Sequence, residues 1–165
     1  PGNLSAACLG GAEATAEANP GGAELVCPAA ESNSAADLAC MIRDAVLSKN
    51  LSTLVNVTHT EFRIGLWGSE GRIVSPDELV RELHQVYLPE NPSAITFYSG
   101  REVFPALDGL PVDSLFGASV SPALVVYSEG WGVLGEGAAL LFITQDPGGN
   151  YVFRALMYAA QGFEG

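Results

Sequence analysis

Apolar residues recur at helical spacing in the first half of the chain and in alternation or short runs in the second. Leu38, Met41, Ile42, Ala45 and Val46 form one stripe, because residues three and four apart share a helical face. Ser34 before them is a good N-cap with Asp37 at the third helical position, so a helix is expected from Ser34 to about Lys49, before Asn50. Cys40 falls off the stripe with Ala36 and Leu47. That weaker second face needs a cover, and the preceding residues are nearest. A short second helix is expected from Ser52. Glu61 to Trp67 then alternates through Phe62, Ile64 and Leu66 as a strand, and the turn WGSEG leads to Arg72–Val74 as its hairpin partner.

SPDELVRELHQVYL is the strongest local signal. Ser75 caps, Pro76 occupies the first helical position and Glu78 closes a capping box. Leu79, Val80, Leu83, Val86 and Tyr87 supply the apolar stripe, and Pro89 and Pro92 stop the helix. A strand over Ala94 to Tyr98 and a loop with short helical turns over Gly100 to Ser119 follow. The last third reads as a three-stranded antiparallel meander, Pro122 to Ser128, Ala138 to Gln145 and Tyr151 to Ala159, with turns at EGWGVLGEG and DPGGN. Helices early and a curved antiparallel sheet late define an α+β cone.

Residues 1–33 stand apart as an N-terminal arm, and residues 34–165 form a single α+β domain. The arm is rich in Ala, Gly, Asn and Pro and carries Glu13, Glu17, Glu24 and Glu31 without a base. Ordering backbone costs about 1–2 kcal/mol per residue. A segment this poor in large apolar residues therefore needs a disulfide, the domain surface or a neighbouring molecule to hold it.

Residues FRIGLWGSEG, SPDELVRELHQVYL, SEGWG and LLFITQDPGGNYVFRALMYA give the chain a resemblance to the NTF2-like (SnoaL-like, cystatin-like) class over residues 35–160. Within it the chain is similar to a group of secreted domains from Chloroflexota-type bacteria. The resemblance implies a cone-shaped α+β fold that hosts isomerases, dehydratases, ligand binders and scaffolds, so it does not choose a function. Enzymes of the class place a His and Asp or a Tyr and Asp inside the cone. Here His59 falls just before the first strand and His84 on the capped helix, and neither is given a catalytic role.

Charge narrows the partners. Nineteen acids against seven bases give −12, and Lys49 is the only lysine. A phosphate backbone would be repelled, so nucleic acid is not expected as a partner. No run approaches the ~20 apolar residues of a membrane helix, and membrane insertion is not expected. GxSxG, Walker A and HExxH patterns are lacking, and the Gly-rich pieces read as hairpin turns, so no catalytic residue and no cofactor is assigned. The three cysteines, with spacings of 19 and 13 residues, suit no metal knuckle. One bridge and one odd thiol are expected of an exported chain. Cys27 with Cys40 is the expected bridge, leaving Cys8 for a bond between chains; the rival pairing is Cys8 with Cys27. A start at Pro1 suggests a removed signal peptide and an extracellular or cell-surface location. Sequons stand at Asn3, Asn50 and Asn56, and Pro92 excludes Asn91.

Two function classes follow. The first is a non-enzymatic extracytoplasmic assembly module, whose arm adds a strand to the sheet edge of another copy or binds a surface partner. The second is a small-molecule or glycan-binding pocket with weak isomerase or hydrolase chemistry. WGSEG at 67–71 is echoed in reverse by SEGWG at 128–132. If those turns meet at the cone mouth, Trp67, Glu70, Glu129 and Trp131 form an aromatic, acidic site for a sugar or a cation.

Overall fold

A computed structural model describes residues 23–25, 27, 34–67, 71–99 and 122–163. The expected loop at 100–119 and most of the arm, with Cys8 and Glu70, lie outside these residues. Helix α1 spans Ala35–Ser48, and Ser34 and Asp37 form a reciprocal capping box at its start. Lys49, in the left-handed region (φ 59°), ends it. Leu38, Ala39, Ile42, Ala45 and Val46 are buried. Met41 departs from the expected stripe and is 46% exposed. One residue is a 100° step, so Met41 sits a quarter turn from Ile42, beyond the edge of the core-facing stripe.

Cys40 lies on the back of α1 and is nonetheless buried. Cys27 explains why: the two are joined by a disulfide with Cα atoms 5.7 Å apart. The bridge holds strand β1 (Ala23–Glu24) against the sheet, where Leu25 donates its N–H to the Phe97 carbonyl (2.9 Å) and buries its side chain.

A 3-10 helix over Leu51–Val57 leads directly into strand β2 (Thr58–Leu66), which begins three residues before the expected start and so contains His59. Strand β3 is Arg72–Val74. Helix α2 (Pro76–Glu82) has the expected capping box at Ser75 and Glu78, then widens into a π-helical turn over Leu83–Tyr87. The wide turn shifts the later side chains around the axis, leaving Val86 49% exposed while Tyr87 is buried. Strands β4 (Thr96–Ser99), β5 (Leu124–Trp131), β6 (Gly137–Gln145) and β7 (Tyr151–Ala159) follow.

The sheet order is β1-β4-β5-β6-β7-β2-β3. The β5-β6-β7 meander is antiparallel as expected. The sheet as a whole is mixed, because β2 pairs with β7 in parallel, Ile64 opposite Leu156 and Leu66 opposite Tyr158. Local patterning reports neighbours joined by turns, and this pair is joined by most of the domain.

Both sheet faces are apolar at the centre. The inner face, under the helices, carries Phe62, Ile64, Phe97, Val126, Leu141, Ile143, Phe153 and Leu156. The outer face carries Ala138, Leu140, Phe142, Ala155, Met157 and Ala159. Strand β6 is consequently buried on both sides, which accounts for its unbroken apolar run rather than alternation.

Candidate functional site

Among the described residues, large apolar side chains pack the inner face of the sheet. Trp131, Phe62, Phe97, Phe153 and Leu141 are all essentially inaccessible. Trp131, expected at a binding site, is instead a core residue at 1% exposure, its indole N–H donating to Ser128 Oγ (2.6 Å). Ser128 to Trp131 are strand rather than turn, and Gly132 follows the strand's end. Gly130 (φ +95°) makes a bulge that lets Trp131 still pair with Gly137, and the bulge turns the indole to the inner side.

One open cleft lies on the outer face. Beyond β7 the chain reverses, with Gly162 N–H donating to the Ala159 carbonyl (3.2 Å), and Phe163 packs over the outer sheet. Its ring lies edge-on to Trp67 (centroids 5.3 Å) and 6.2 Å from Tyr127. Between this turn and the β5-β6 hairpin is a cleft of about 610 Å³. Tyr127, Glu129 and Ala138 form its floor, Glu136 and the hairpin glycines one wall, and Gln161 to Phe163 the other. Tyr127 Oη donates to Glu129 Oε2 (2.7 Å), fixing one carboxylate oxygen. Among the described residues that line it there is no Lys, Arg or His.

The structure thus brings Trp67 and Glu129 to one aromatic cluster, joined through Phe163 and Tyr127. It leaves Trp131 on the other side of the sheet, and Glu70 lies outside the described residues. Sequence reasoning missed Tyr127, Glu136, Gln161 and Phe163. The signal for Tyr127 was present, since alternation along β5 puts Tyr127 and Glu129 on the face opposite Ser128. Nothing local marked the reversal at Gly162.

Two other polar groupings among the described residues are accounted for without a ligand. At the cone's rim Arg72 pairs with Glu82 beside Tyr87, whose ring meets Tyr158 (5.0 Å). Burial, the leading cause for both phenols, pushes them above the usual tyrosine value, so they stay protonated at neutral pH. His59 Nδ1 accepts from Glu61 N–H (3.0 Å). Its imidazole is held below the ordinary histidine value by burial first and by nearby Arg154 second. Arg154 in turn donates to the Glu61 carbonyl. Among the described residues no group of three His, Cys, Asp or Glu side chains is placed to hold a metal ion, and no helix is long and apolar enough to cross a membrane.

Helices packed on a mixed seven-stranded sheet make this an α+β fold. No protein-family model matches the chain, and no curated protein matches it. Among solved structures, a ketosteroid isomerase-like protein from Erwinia carotovora atroseptica is similar at 8% identity, over 73% of this chain and 88% of that one, with a TM-score of 0.43.

Proposed function

We propose that the protein is a non-enzymatic extracytoplasmic binding module, and that its outer-face cleft takes a small organic cation bearing an ammonium group. The observation that carries the reading is the composition of the cleft: two carboxylates and two aromatic rings around about 610 Å³, with no basic side chain among the described lining residues. A chain of net charge −12 also draws cations toward it at long range. Tyr127 and Phe163 supply aromatic lining, and Glu129 and Glu136 supply the charge. The Cys27–Cys40 disulfide agrees with an oxidising compartment.

Calorimetric titration with tetramethylammonium, choline and a diamine tests it. Each of Glu129→Gln and Glu136→Gln is expected to weaken binding about fivefold, the effect of a partly exposed charge contact worth about 1 kcal/mol. Binding should also weaken with added salt. Neutral sugars are the competing ligand class, and affinity for them with no response to salt would replace the cation. Absence of binding in all panels would remove the cleft reading.

Assembly through the arm has one observation in its favour, the docking of β1 on a sheet edge, but there it is the chain's own strand that fills the edge.

A further inference from the structure

We propose that the cation taken by the outer face is a linear aliphatic diamine, with one ammonium in the cleft, the other at Glu24, and the methylene chain lying across Tyr127 and Tyr98. The proposal rests on the cleft reading above and names the ligand class of the same site. Strand register sets these residues in one row. Glu24 of β1 is opposite Tyr98 of β4, and Tyr98 is opposite Tyr127 of β5. Directly opposed residues of antiparallel strands project to the same face. That face is the outer one: Tyr127 is in turn opposite Leu140 of the outer cluster, whereas the alternate residues Leu25, Phe97 and Val126 are buried in the inner core.

At one end of the row is the cleft, with Glu129 and Glu136 in its lining. At the other is Glu24, which is exposed. Between them the rings of Tyr127 and Tyr98 have centroids 6.2 Å apart and planes tilted by 32°, and both residues are partly exposed. Aromatic rings give methylene groups an apolar contact and attract an ammonium group. The span sets the length of the ligand. Glu24 and Glu129 are two strands apart, about 10 Å, and offset by two residues along β5, about 7 Å, which makes about 12 Å between their backbones. An extended eight-carbon diamine separates its nitrogens by about 11 Å, a four-carbon one by only about 6 Å. Both nitrogens are ammonium ions at neutral pH, as that of lysine is. The longer diamine therefore reaches a carboxylate at each end, whereas the shorter one and choline occupy the cleft alone.

The test is calorimetric titration of the full, disulfide-bonded chain with the eight-carbon diamine and with octylamine, which share a hydrocarbon chain and differ by one ammonium. The diamine is expected to bind about fivefold more tightly, the effect of one further exposed charge contact. Two equal ends alone give about twofold by statistics, and the four-carbon diamine should show no more than that over butylamine. Glu24→Gln should reduce the eight-carbon ratio to the statistical one. Glu90→Gln, which removes the same charge from an exposed site outside the row, should leave the ratio intact, and choline should bind the two variants equally. A statistical ratio in the parent, or a fivefold ratio that survives Glu24→Gln, overturns the proposal, and choline binding in the same samples then shows that the cleft reading stands without it. Failure of choline and of every amine to bind removes the cleft reading and the diamine together.

Discussion

Replacing Ser128 with alanine removes one oxygen atom from the centre of the inner face, and its cost follows from two distances. Ser128 is fully buried, donates to the Thr96 carbonyl (2.7 Å) and accepts the Trp131 indole N–H (2.6 Å). The alanine leaves that N–H without a partner in a place water does not reach, which costs about 1–3 kcal/mol, and loses a second bond worth about 1 kcal/mol. Ser128→Ala is therefore expected to lower the unfolding free energy by about 2–4 kcal/mol. Urea unfolding followed by far-UV circular dichroism, with the disulfide intact, measures it. Because the larger share belongs to the indole, the same change should cost about 1–2 kcal/mol less in a Trp131→Phe background, where no donor is orphaned. A loss under about 0.5 kcal/mol, or equal losses in both backgrounds, would refute the assignment of Trp131 to the core.

Two further outcomes are expected. Gly132 has φ +88°, and an added Cβ would lie 2.5 Å from Tyr158 Oη, so Gly132→Ala should destabilise by about 2–4 kcal/mol in thermal or urea unfolding. Adding Tyr158→Phe should recover part of that loss; no recovery would mean the clash is not with the phenol. For His59, a folded-state value below the ordinary one means the unfolded chain takes the proton first. Stability from this group is thus full above the unfolded value of 6.5 and is lost as pH falls through the lower folded value. Urea midpoints between pH 7.5 and 5.5 should fall less steeply in His59→Gln than in the parent, with Glu61, Arg154 and Asp146 the charged groups facing it. An unchanged slope contradicts the burial of this imidazole.

What was legible in the sequence was local. Ser34 with Asp37 and Ser75 with Glu78 announce both helix starts through capping chemistry, and strand β7 was read with its full bounds. The bridge of Cys27 to Cys40 followed from a helix face that needed covering. Long-range partnership was not legible. No pattern in β2 says that its neighbour is β7, and none says the pairing is parallel. Trp131 illustrates the same limit at one residue: Gly130 looks like the turn it would suit, yet the strand runs through it as a bulge, and the indole goes to the core rather than to a ligand. The cleft depends on a reversal at Gly162 that sets Phe163 beside Trp67 and Tyr127, residues remote in sequence.

Mapping amide shifts on a labelled protein during titration with choline tests the central claim most directly, because it reports where binding occurs. The account predicts saturable shifts at Glu129, Gly135 to Ala138 and Gln161 to Phe163, with the Trp67 indole following and the Trp131 indole unmoved. Shifts centred on Trp131, Leu83 and Tyr87, inside the cone, would contradict it.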